Sequence, residues 1–151
     1  MKDIVLIVDE DVNARIITET LLQARGLAVR AAADGTEACD ILCCHDASVA
    51  VLVVDLGTAA AGMNGWELLR RVRGRFGGLP LPAQPRVLTI SGSLEPETEG
   101  FARRLGADAF LRKPLAPREL IGTVEQLIMR YAARVRGAGA AALASGDWPR
   151  R

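Results

Sequence analysis

Five repeats of one pattern predict an α/β fold, a five-stranded parallel sheet with helices on both faces. In each repeat a short apolar run is followed by a longer segment with apolar residues at helical spacing. Two further observations agree. The strand candidates are nearly continuous apolar runs without alternation, as a sheet covered on both faces requires. The 151 residues, half of them hydrophobic, suit one domain with a sizeable core.

The strand candidates are Ile4–Val8, Leu27–Ala31, Val49–Val54, Arg86–Ile90 and Ala109–Leu111. The first helix is expected over Val12–Arg25, with Val12, Ile16, Leu21 and Ala24 on one stripe and Gly26 at the stop position. The second runs from Thr36 to His45 after the turn pair Asp34-Gly35. The third, Trp66–Arg75, follows Asn64-Gly65, and its arginines Arg70, Arg71, Arg73 and Arg75 read as a solvated face. The fourth, Pro96–Leu105, opens on Pro and acids and stops at Gly106. The fifth opens at Pro117 and continues through Leu120, Val124, Leu127, Ile128 and Tyr131 to Arg136.

Two stretches interrupt the pattern. The Gly/Pro-rich segment from Gly77 to Pro85 is longer than a usual connection of about 2–6 residues and is expected to be exposed. From Gly137 to Arg151 the chain is rich in Ala and Gly without a periodic core, so the domain is assigned to residues 1–136. Residues 137–151 are expected to be a flexible tail or a loose extension of the last helix. The glycines of that tail follow a helix instead of a strand, which excludes a dinucleotide fingerprint.

Lys and Arg total 19 against 18 Asp and Glu, a formal charge of +1, so no global field favours a nucleic acid or an anionic membrane. The longest apolar runs fall far short of the roughly 20 residues a membrane span needs, and no signal-peptide pattern follows Lys2 and Asp3. A cytoplasmic protein is the expectation. Three cysteines, Cys39, Cys43 and Cys44, crowd into one segment, an odd number that suits reduced thiols. With no second Cys or His pair to complete four metal ligands, they read as small apolar packing under the second helix.

In an open parallel sheet the binding crevice lies beyond the carboxyl ends of the strands. There the first strand ends in Asp9-Glu10-Asp11, the third in Asp55, the fourth in Ser91-Gly92, and the fifth in Arg112-Lys113-Pro114. Carboxylates gathered this closely repel one another unless a cation sits among them, and an all-oxygen set suits Mg²⁺. Lys113 adds a second positive charge.

Four segments in this order, Leu6-Ile7-Val8-Asp9-Glu10-Asp11, Val53-Val54-Asp55-Leu56, Thr89-Ile90-Ser91-Gly92 and Gly106 to Pro114, resemble the receiver domain of two-component response regulators, in its chemotaxis-type single-domain form. The resemblance spans roughly Asp3 to Arg134. It implies a flavodoxin-like sheet in strand order 2-1-3-4-5. It makes Asp55 the phosphoacceptor for a phosphoryl group from a histidine kinase or phosphotransfer protein, and Asp9, Glu10, Asp55 and the Gly57 backbone carbonyl the Mg²⁺ ligands. Lys113 would neutralise phosphoryl charge, Ser91 would hydrogen-bond the group, and Phe110 would be an aromatic switch. Lys113-Pro114 resembles the family's Lys-Pro step, whose bond is often cis.

The implied protein is a phosphorylation-controlled switch and no enzyme beyond Mg²⁺-dependent self-phosphorylation and autodephosphorylation. It would be a monomer or a phosphorylation-promoted dimer, with its output through the face made by the fourth helix, fifth strand and fifth helix. No nucleic acid or membrane partner is expected.

Each role has a plainer rival. Asp11 or Asp9 can cap the first helix, Asp11 being the better placed, and Thr36 reads as an ordinary capping hydroxyl. The loop from Leu56 to Gly65 departs from the family pattern, running about two residues longer and lacking a Pro. A degenerate receiver serving as a phosphorylation-independent scaffold is therefore the alternative. A haloacid-dehalogenase-like phosphatase would need a second Asp where Gly57 stands.

Overall fold

The computed structural model describes residues 3–44, 48–57, 62–74, 78–81 and 83–145, with side chains as far as Gly139. Five parallel strands, β1 (Asp3–Val8), β2 (Val29–Ala32), β3 (Ser48–Asp55), β4 (Arg86–Ser91) and β5 (Ala109–Arg112), form one sheet in the order β2-β1-β3-β4-β5. The helices are α1 (Val12–Gln23), α2 (Gly35–Leu42), α3 (Gly65–Arg73), α4 (Glu97–Arg104) and α5 (Pro117–Ser145). Fold class and strand order are those expected from the sequence.

Successive side chains of a strand point to opposite faces, and both faces here are buried. Ile4, Leu6 and Val8 join Leu52, Val54, Leu68, Leu69 and Val72 in one core under α2, α3 and α4. Val5 and Ile7 join Val51, Val53, Leu22, Leu120, Val124 and Leu127 in the other, under α1 and α5. Every residue of β3 after Ser48 is buried, which is why its sequence does not alternate. Leu52, wholly enclosed, anchors this packing; truncation to Ala at such a site costs about 2–5 kcal/mol.

Asp11, Asp34 and Asn64 cap α1, α2 and α3 with their side-chain oxygens. Asp11 is thus the cap that the sequence favoured. Asp34, not Thr36, caps α2; the Thr36 hydroxyl instead accepts the Met63 N–H at 3.2 Å. Gly26 and Gly106 take positive φ, +80° and +110°, where α1 and α4 give way to their following strands.

Several expectations are corrected. On α1 the buried residues are Thr18 and Leu22, whereas Val12 and Ile16 are more than half exposed, because the helix meets the sheet on a stripe one step from the one counted. Leu79, Leu81 and Ala83, in the connection expected to be exposed, pack against the two cores; Gly77 and Pro82 lie outside the described residues. α5 continues to Ser145, in line with the extension of the last helix that was one of the two expectations for residues 137–151. Ala138, Ala140, Ala141, Ala142 and Ala144, with Leu143 among them, have high intrinsic helix propensity, enough to carry Gly137 and Gly139. His45, Arg75 and residues 146–151 lie outside the described residues.

Candidate functional site

The sheet register builds the site. Val8 pairs with Val54, so the residues that follow them, Asp9 and Asp55, leave neighbouring strands side by side. Asp55 pairs with Ile90, next to Ser91, and the Lys113 N–H donates to the Ser91 carbonyl at 2.9 Å. Asp9, Asp55, Ser91 and Lys113 line one cleft of about 490 Å³ at the carboxyl rim, together with Glu10, Gly57 and Trp66. The four strand ends singled out in the sequence therefore meet in one place.

Asp55 is 6% exposed and held at both oxygens. Lys113 Nζ donates to Oδ2 at 2.5 Å, and the Gly57 N–H donates to Oδ1 at 2.8 Å. The Lys113–Pro114 bond is cis. Asp9 is nearly as buried, and its Oδ1 accepts the Asp11 N–H at 2.9 Å. Glu10 and Asp11 are exposed at the mouth. The Ser91 hydroxyl is buried and accepts the Ser93 N–H at 3.0 Å. Phe110 is buried in the core under α4, with the Arg112 guanidinium 5.2 Å from its ring centroid.

Burial pushes the Asp9 carboxyl's pKa above its ordinary value, and the charge of Asp55 pushes the same way; the Asp11 N–H and Lys113 offset this only in part. Burial works against the Lys113 charge. Its bond to Asp55 and the charges of Asp55, Asp9 and Asp11 outweigh that, and its pKa is raised. The rim thus holds two buried carboxylates against one ammonium, an arrangement that a cation would relieve.

Among the described residues no three His, Cys, Asp or Glu side chains form a metal cage of their own. The donor set is instead two buried carboxylates with Glu10 and a backbone turn beside them. It fits Mg²⁺, which keeps several waters and takes only one or two carboxylates, better than ions that need a full protein cage.

Sequence reasoning missed two parts of this region. Trp66 lines the cleft and stacks edge-on with Phe101 of α4, centroids 5.3 Å apart; its place directly after the Asn64-Gly65 turn was the available signal. Gly65 itself is required by proximity, since a Cβ there would meet the Asp55 carbonyl oxygen at 2.6 Å.

The arginines of α3 also differ from expectation. Arg73 is not solvated: it donates to the carbonyls of Gly106 and Pro85, to Gln84, and to Asp108 at 3.0 Å. Asp108 also accepts from Arg86 at 3.1 Å and from the Val87 N–H at 2.8 Å. This network sits at the foot of β4 and β5, far from the rim. Of the cysteines, Cys39 alone packs against the core as expected, while Cys43 and Cys44 are exposed.

Comparison with known proteins agrees with this geometry. The chain is 32% identical over 145 residues to the transcriptional regulatory protein GltR of Pseudomonas aeruginosa, covering 95% of this chain and 56% of that protein. It thus spans about half the length of that relative. Among solved structures, the receiver domain of NtrX from Brucella abortus superposes with a TM-score of 0.70 at 26% identity, covering 83% of this chain and 98% of that one. A Francisella response regulator receiver domain gives 0.71 at 25% identity, covering 86% and 98%. The model of the family described as response regulator receiver domain matches residues 5–125, and the chain belongs to that family of signalling domains.

Proposed function

We propose that the chain is a working phosphoacceptor whose nucleophile is Asp55. The observation that carries this reading is the pairing of Asp55 Oδ2 with Lys113 Nζ at 2.5 Å, beside a second buried carboxylate, Asp9, at the open end of a cleft. An Asp55 oxygen attacks the phosphorus of a phosphohistidine on a partner kinase or phosphotransfer protein. The O–P bond forms as the N–P bond breaks, and the imidazole leaves. Lys113 then has a phosphoryl oxygen to hold in place of the bare carboxylate, and the Ser91 hydroxyl turns from accepting the Ser93 N–H to donating to another.

Asp9, Glu10, Asp55 and the Gly57 carbonyl are the residues that would hold Mg²⁺. Bound there, the ion supplies neutralising charge for the acids and for the phosphoryl oxygens. Phe110 is the proposed switch: it pairs with Thr89, two residues before Ser91 on β4, and a shift of the Ser91 hydroxyl would be passed to its packing from there. The α4, β5 and α5 face would then bind a downstream protein. A two-state equilibrium of this kind needs only a few kcal/mol of differential stabilisation.

Intact-mass spectrometry after incubation with acetyl phosphate and Mg²⁺ tests this reading. The native chain is expected to gain one phosphoryl group, which does not form in a metal-free control and is absent from Asp55→Asn. An adduct that persists in Asp55→Asn contradicts the assignment. No adduct on the native chain, with beryllofluoride also failing to bind, favours a phosphorylation-independent scaffold.

A further inference from the structure

The sequence offered Cys39 and Cys43 as two thiols one helical turn apart, without further Cys or His ligands. The fold supplies a third sulfur from elsewhere in the chain. Met63 Sδ lies 4.0 Å from Cys39 Sγ. Its position is fixed from two sides, by the Thr36 hydroxyl on its N–H and by the Gly35 N–H on its carbonyl at 2.7 Å. Cys39 and Met63 are half-buried against the core, and Cys43, the exposed C-cap of α2, stands one turn beyond Cys39, its N–H donating to the Cys39 carbonyl at 3.0 Å. Burial pushes the Cys39 thiol above its ordinary value, and the nearby Cys43 pushes the same way.

We propose that Cys39, Cys43 and Met63 form a site for a soft monovalent metal ion, Cu(I) in the first instance. Thiolate and thioether sulfurs select soft ions of this kind over the hard cation suited to the acidic rim. The separation fits as well. Two sulfurs each about 2.3 Å from one metal and about 120° apart around it lie about 4.0 Å from each other, which is the Cys39–Met63 distance. Each thiol that ligates gives up its proton to solvent, and the metal keeps its oxidation state, so no oxidant or reductant is consumed. The ion would tie α2 to the return leg of the loop that leaves Asp55. This assignment does not depend on the phosphoacceptor reading.

The test is anaerobic titration of the reduced full chain with Cu(I) in competition with a chromophoric Cu(I) chelator. The native chain is expected to withhold one equivalent, with a thiolate-to-metal charge-transfer band. Cys43→Ser, an exposed change that leaves packing intact, and Cys39→Ser are each expected to abolish retention. Met63→Leu should weaken it about tenfold, a change of about 1.4 kcal/mol, and Cys44→Ser should leave it unchanged. A native chain that surrenders all its Cu(I), or a Cys44→Ser variant that loses retention as fully as Cys43→Ser, overturns the assignment.

Discussion

At the carboxyl rim of the sheet two buried carboxylates share one ammonium, whereas at its foot one carboxylate serves two guanidinium groups. The foot is largely closed: Arg73 places its donors on Gly106, Gln84, Pro85 and Asp108, and the Asp108 carboxylate accepts from three groups, with Arg86 Nε left buried and without a hydrogen-bond partner among the described residues. The rim is open, with Asp9 held by one backbone N–H and facing the cleft. Both are clusters of charge at strand ends. Each is one charge out of balance; what differs is that the foot commits its groups to neighbouring carbonyls, Gln84 and the Val87 N–H, while the rim leaves its excess carboxylate facing a cleft, ready for a ligand.

The sharpest way to break this contrast is at the foot. Asp108→Ala leaves two half-buried arginines and the Val87 N–H without their acceptor, and should cost about 3–5 kcal/mol of stability. Urea unfolding measures this, and phosphoryl uptake by the folded fraction should persist. A loss under about 1 kcal/mol would place the pair among ordinary surface bridges.

A smaller effect is expected at the rim's backbone. Gly65→Ala drives a Cβ against the Asp55 carbonyl, which cannot move without displacing the strand end; overpacking of this kind costs about 1–3 kcal/mol. Phosphoryl uptake should fall with it. Unchanged uptake would show that the rim tolerates displacement and weaken its assignment as the reacting end.

The smallest effect has the opposite sign. Because burial and Asp55 raise the Asp9 pKa above 3.8, the folded chain retains a proton that the unfolded chain has released just above that pH. Stability therefore falls as pH rises through this interval, and the loss persists at neutrality. Asp9→Asn removes it, so without divalent metal the variant should melt above the native chain at neutral pH. The gap should close as pH falls below 3.8. A variant that melts lower at neutral pH contradicts the direction.

Much of the rim was legible in the sequence because its chemistry sits at strand ends, where continuous apolar runs stop at Asp9, Asp55 and Ser91. The foot was not. Arg73 lies on a helix whose other arginines are exposed, and only the tertiary approach of Gln84, Pro85 and Asp108 turns one of them inward. The phase of α1 was misread for a similar reason: several apolar positions fit a stripe, and the sheet selected Leu22 over Val12 and Ile16. Met63 meets Cys39 across 24 residues of chain, a contact that spacing alone does not reveal.

The most direct test of the contrast is thermal unfolding with and without Mg²⁺, on the native chain, Asp9→Asn and Asp108→Ala. Mg²⁺ should raise the midpoint of the native chain and of Asp108→Ala alike, and leave Asp9→Asn nearly unmoved. A native midpoint indifferent to Mg²⁺, or one raised equally in Asp9→Asn, would contradict the claim that the rim's unmatched carboxylates are a cation site.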